Sequence, residues 1–179
     1  MVYATPEAIC DILGAKEGEA RENCLKPLQA FQTVTETLLE YRQKEFEKAL
    51  QAAPITAVIW AQDNCPYCEE EIQAMVTVMG KTPNFTAYAV DCDEPGWDKL
   101  ADKQRIDKTP SISFYTKATG TEAPALVLEG RRSADDIRLI VSKLAMGEIP
   151  RPGKGKEQGC GRGAGMAELT ACFEKAASS

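Results

Sequence analysis

The stretch VIWAQDNCPYCEEEI, residues 58–72, decides how the rest of the chain is read. An apolar, β-branched run stops at Trp60, a polar turn follows, and Cys65 and Cys68 then stand three positions apart. Pro66 suits a helix start, because its missing N–H is no loss in a first turn. The stretch therefore predicts a buried strand, a turn, and a helix that opens at Cys65. At such an opening, unpaired backbone N–H groups and the positive end of the helix dipole favour a thiolate. Cys68, one turn on, lies within bonding reach. Two cysteines so placed can be a redox pair, half of a zinc site, or buried thiols. Zinc needs two further ligands. Cys160 and Cys172 are available, but the chain has no second C-x-x-C and no histidine. The redox reading is the one carried forward.

Working outward, the pattern over residues 54–147 alternates. A strand is predicted over ITAVIW (55–60) and a helix from Cys65 to a stop at Gly80, with Ile72, Met75, Val76 and Met79 inward. Strand FTAYAV (85–90) follows, then a short helix from Trp97 to about Arg105. Strands SISFY (111–115) and ALVLE (125–129) come next, and Ser133 caps a last helix with Ile137, Ile140, Val141 and Leu144 facing in. The order β-α-β-α-β-β-α asks for a parallel, helix-covered first half and a closing hairpin. Glu69, Glu70 and Glu71 read as a solvated acidic helix start that tempers any thiolate nearby. Trp60 reads as core, Tyr67 as an exposed rim residue, and Cys92 as a small buried one.

Two extensions flank this centre, giving the divisions 1–52, 53–147 and 148–179. The first is read as helical. Thr5-Pro6-Glu7 starts a short helix, Gly14 and Gly18 end it, and a second piece carries Cys24 to about Lys26, before Pro27. A long helix then shows the stripe Phe31, Val34, Leu38, Tyr41, Phe46 and Leu50. The last division is a Pro/Gly-rich basic connector followed by a short amphipathic helix, AGMAELTACFEKAA. Cys10 and Cys24 lie in one extension, and Cys160 and Cys172 in the other. Such pairs suggest structural disulfides and an oxidising home, periplasmic or otherwise extracytoplasmic, with the cytoplasm as the alternative.

The totals exclude several classes. With 179 residues and a net charge of −6, the chain suits neither nucleic acid nor an anionic membrane surface. No apolar run approaches the roughly 20 residues needed to span a bilayer. The opening MVYATPEAICDILG has no basic region and no continuous apolar core, so it does not read as a signal peptide. The absence of histidine removes Cys–His nucleophile pairs and Cys₂His₂ metal sites.

Four pieces together carry a resemblance: IWAQDNCPYC, AVDCDEP, Lys108-Thr109-Pro110 before SISFY, and LEGRRSADDI. Over roughly half its length the chain resembles the thioredoxin superfamily. The resemblance implies an α/β thioredoxin fold, a central mixed sheet flanked by helices, and a thiol–disulfide oxidoreductase. It implies Cys65 as nucleophile and Cys68 as the resolving thiol. It places a cis Pro110, with Thr109, beside the pair to bind an extended substrate, and Pro66 and Tyr67 at the same rim. It implies no cofactor, protein disulfide or dithiol substrates, a redox partner protein that passes electrons, no nucleic acid and no membrane insertion. CPYC departs from the CGPC of thioredoxin itself and is the glutaredoxin form, yet the glutathione-binding pattern after Thr-Pro is missing. Val58 and Ile59 stand where thioredoxins carry a buried acid, which fits an oxidase, isomerase or specialised partner better than a general reductant. Two other readings stay open: a binding or assembly module with little turnover, and a glutathione-dependent enzyme.

Overall fold

The computed structural model describes residues 17–150 and 165–175, with Glu7, Cys10, Asp11 and Ala15 nearer the N-terminus. Its elements are α1 (Gly18–Leu50), β1 (Ile55–Ala61), α2 (Pro66–Met79), β2 (Phe85–Asp91), α3 (Trp97–Lys103), β3 (Ser111–Thr116), β4 (Leu126–Glu129), α4 (Ala134–Ala145), β5 (Glu148–Pro150), α5 (Met166–Ala171) and β6 (Phe173–Lys175). Four strands form one sheet in the order β2-β1-β3-β4. β1 runs parallel to β2 and antiparallel to β3, and β4 is antiparallel to β3. A mixed sheet covered by helices is thus the architecture the alternation asks for, and it is the thioredoxin fold.

β1 explains why the sheet is covered on both sides. Side chains alternate across a strand. Ile55, Ala57 and Ile59 enter a core cluster with Met75 and Val78 of α2 and Ile137, Ile140, Val141 and Leu144 of α4. Val58 and Trp60 point the other way, into a cluster with Phe46 and Leu50 of α1 and Leu100 and Ala101 of α3. A strand buried on both faces has no polar side to show, hence the near-continuous apolar run. Trp60 is fully buried, and its indole N–H donates to Ser113 Oγ at 2.7 Å.

α1 differs from the expected two pieces. It is one helix of 33 residues that runs through Pro27. A proline inside a helix costs about 3 kcal/mol, and here helix continues on both sides of it. The inward stripe near its end is Leu39, Phe46 and Leu50, while Tyr41 is 56% exposed. The side chains of Phe31, Val34 and Leu38 lie outside the described residues. Phe46 meets Tyr115 edge-on at 5.4 Å and Trp60 at 5.8 Å between ring centroids. Arg42 lies 5.2 Å over the Trp97 ring and bonds Glu45 and Glu94, both at 3.0 Å, which ties α1 to the segment before α3. Cys10 and Cys24 form a disulfide with Cα atoms 6.0 Å apart.

The C-terminal extension also departs from expectation. β5, the start of the expected connector, pairs with β6 in a second, two-stranded sheet. The tail helix stops at Ala171, and the next residues run extended. The gain is burial: Leu169 and Phe173 join the core cluster beside α4. Among the described residues, no helix is long and apolar enough to cross a membrane.

Replacing Phe46 with alanine removes the ring that joins α1 to the sheet. We expect the midpoint of urea unfolding to fall by the equivalent of about 3–5 kcal/mol, read by tryptophan fluorescence.

Candidate active site

β1 ends at Ala61, and a short turn carries the chain to α2. Asn64 takes a left-handed conformation (φ 56°), which asparagine tolerates better than most residues. That turn sets Cys65 at the N-cap of α2, with extended backbone, and Pro66 in the first helical turn. The Cys65 carbonyl accepts from the Cys68 N–H at 3.0 Å. Cys65 and Cys68 are joined as a disulfide with Cα atoms 5.3 Å apart. Their surroundings differ: Cys65 is half-buried, whereas Cys68 is 3% exposed. Cys65 thus reaches solvent in part, whereas Cys68 is shielded.

The rim is built from three segments. Tyr67 is 59% exposed, and the Arg131 guanidinium lies 6.0 Å over its ring while bonding Glu70. The Thr109–Pro110 peptide is cis, and Pro110 is buried. Thr109 Oγ1 donates to Gln62 Oε1 at 2.5 Å, which links the proline segment to the turn before Cys65. The Gly130 N–H donates to the Pro110 carbonyl at 2.9 Å. Gly130 has φ 77°, open to glycine at no steric cost, and it turns the chain toward Arg131 and Arg132. Cys65, Pro66, Tyr67 and Cys68 therefore share one helical turn, and Thr109 joins them through Gln62.

The other predicted cysteines lie in the extensions. Cys10 and Cys24 pair with each other, and Cys172 is buried and disulfide-bonded. Cys160 lies outside the described residues. Cys92 is a free thiol, half-buried just beyond β2, and its N–H donates to the Ala61 carbonyl at 2.8 Å. Burial, helped by Asp91, Asp93 and Asp98, pushes its pKa up to about 11. No group of side chains able to hold a metal ion occurs among the described residues.

Glu71 is the residue whose setting the sequence reading missed. It was expected in solvent with Glu69 and Glu70, yet it is 0% exposed. The buried stripe of α2 is Cys68, Glu71, Met75 and Val78, while Val76 is exposed. Of the expected inward residues Ile72, Met75, Val76 and Met79, Met75 is buried and Ile72 packs partly against the core, while Val76 and Met79 are exposed. Counting from a shielded Cys68 by helical spacing reaches positions 71, 72 and 75, so the signal was present. Glu71 Oε1 accepts from the Arg132 backbone N–H at 3.1 Å, and its Oε2 and Arg132 Nε are buried with no partner among the described residues. Burial raises the Glu71 pKa from 4.5 to about 7, against the opposing pull of the Arg132 N–H and charge.

No protein-family model and no curated protein matches the sequence. Solved structures with a similar fold include thioredoxin O2 from Arabidopsis thaliana in its oxidised state, with 19% identity over 57% of this chain and 88% of that one, TM-score 0.47. Thioredoxin f2 of Chlamydomonas reinhardtii has 15% identity over 57% of this chain and 91% of that one, TM-score 0.49. Chloroplastic thioredoxin z has 22% identity over 57% and 88%, TM-score 0.49. The neighbours are thioredoxins. At these identities, and with TM-scores below 0.5, no function is drawn from the likeness, which covers little more than half of this chain.

An acid whose folded-state pKa lies above its unfolded one holds its proton more tightly in the folded chain. Its stabilising contribution is full below about pH 4.5 and is lost as pH rises through about 7. Glu71→Gln should therefore abolish a fall in stability of roughly 3 kcal/mol across that window. Urea titrations of both proteins at several pH values check it, with the variant showing the flatter profile.

Proposed function

We propose that this chain is a thiol–disulfide oxidoreductase acting on protein disulfides through Cys65 and Cys68. The observation that carries the reading is the bonded pair at the mouth of α2, with Cys65 half-buried and Cys68 shielded. In the reduced protein, the Cys65 thiolate, favoured by the α2 N–H groups, attacks a substrate disulfide. The substrate S–S bond breaks, a Cys65–substrate disulfide forms, and the departing sulfur takes up a proton. The Cys68 thiol then loses its proton and attacks the Cys65 sulfur. This closes the Cys65–Cys68 bond and releases the second substrate thiol. Two electrons pass from the chain to the substrate, and a second dithiol protein restores the pair. The reverse sequence oxidises a substrate dithiol.

Thr109 and Pro110 shape the groove in this proposal, and the backbone beside them would offer strand-like hydrogen bonds to an extended substrate. Pro66 fixes the helix start, and Tyr67 meets the substrate at the rim. The pair itself carries the electrons, so the reaction needs no bound cofactor. An oxidising, extracytoplasmic compartment fits the Cys10–Cys24 bond and the bonded state of Cys172.

Cys65→Ser should abolish reduction of insulin disulfides by the dithiol-driven protein. Cys68→Ser should instead accumulate a mixed disulfide visible on non-reducing gels. Turnover by the Cys65 variant at the unmodified rate would remove the mechanism. In the denatured, air-oxidised protein, thiol titration should find one free thiol among the seven cysteines, that of Cys92. A count of five would confine oxidation to the central pair and favour the cytoplasm.

A further inference from the structure

β2 is the outer strand of its sheet, and no strand pairs with its far side among the described residues. The register shows which backbone groups face that open edge. The Ile55 N–H donates to the Asn84 carbonyl at 3.3 Å, and the Cys92 N–H donates to the Ala61 carbonyl at 2.8 Å. Bonding direction alternates along a strand, so even-numbered residues of this stretch bond to β1. The amides of Ala87, Ala89 and Asp91 then point outward. One contact agrees: the Ala87 N–H donates to Met79 Sδ at 3.2 Å. A thioether is a weak acceptor, and the carbonyl of an added strand would replace it readily.

The open edge leads to the redox pair. A groove of about 300 Å³ joins Ala89 and Asp91 at the end of β2 to Cys65, Cys68 and Ile72. Its charged lining is of one sign, from Asp63, Glu69 and Asp91. None of these three carboxylates has an ion-pair partner among the described residues. Asp93 sits alongside, accepting from the Asp63 N–H at 2.9 Å. β2 and β3 flank β1 on opposite sides, so this groove approaches the disulfide from the side away from Thr109 and Pro110.

We propose that the β2 edge and its acidic groove dock an extended, basic segment of a partner protein, which adds as a further strand and brings its cysteine to Cys65. Main-chain hydrogen bonds along Ala87–Asp91 supply the binding, and lysine or arginine side chains facing the three carboxylates supply the selection. The inference rests on the redox reading of Cys65 and Cys68 for its purpose, but its geometry does not depend on turnover.

The test uses the full-length oxidised protein and an acetylated peptide, Thr-Lys-Val-Lys-Ser-Val-Lys-Thr, with its Glu-for-Lys counterpart. Hydrogen exchange at the Ala87, Ala89 and Asp91 amides should slow by about tenfold or more with the basic peptide and stay unchanged with the acidic one. Ala89→Pro removes an outward N–H without touching the ladder to β1. It should weaken basic-peptide binding by about tenfold or more. Protection of the Tyr88 and Val90 amides in that variant reports that the strand still forms. Protection appearing instead around Thr109–Ser111, equal protection by both peptides, or none would overturn the docking surface. Protection at β2 in a protein that fails the insulin assay would retain the surface and dismiss the redox reading.

Discussion

The whole arrangement depends on β1 being buried on both faces. Its odd-numbered side chains lock into the core under α2 and α4, and its even-numbered ones into the core under α1 and α3. A strand gripped this way cannot slip by one residue without reversing every contact. The end of β1 is therefore a fixed point. The turn through Asn64 starts from it, and α2 opens where that turn ends. The Cys65–Cys68 geometry is in this sense a property of the sheet. The first turn of α2 alone, with its single proline, would not hold two sulfurs in place against solvent.

Glu71 adds a different constraint at the same helix. Its carboxyl is buried on the stripe that carries Cys68, against the Arg132 backbone N–H at the entrance to α4. A buried carboxyl costs folding free energy unless it is neutral or paired. Here it is half-satisfied: one oxygen is bonded and the other has no partner among the described residues. An apolar side chain would fill that space more cheaply. What the acid provides is a hydrogen-bonded link between the helix that carries Cys65 and Cys68 and the loop that leaves β4.

Much of this was legible before any coordinates, and the reason is periodicity. β1, α2 and α4 announce themselves because their burial is regular, and the Ser133 capping box marks the start of α4. The cysteine pair was legible because strand, turn and proline surround it in an order with few other uses. What resisted reading was tertiary. Pro27 reads as a boundary, because local preference cannot see that helix continues on both sides of it. Glu71 reads as solvent-facing, because a run of three acids hides which one the packing turns inward. β6 reads as helix, because its extended form is worth having only once Phe173 finds the core. The open edge of β2 is the same kind of fact: a strand's sequence does not tell whether it has a neighbour on each side.

Cys92 gives the acidic fringe near the Cys65–Cys68 bond a second meaning. A free thiol in a chain that carries disulfides is ordinarily a hazard, since its thiolate could attack one of them and scramble the bonds. With a pKa of about 11, this thiol is ionised in only about one molecule in ten thousand at pH 7. Burial, helped by Asp91, Asp93 and Asp98, holds it in the protonated form. Of the three cysteines between β1 and α3, two are thus bonded to each other, and the third is held in the form least able to attack them.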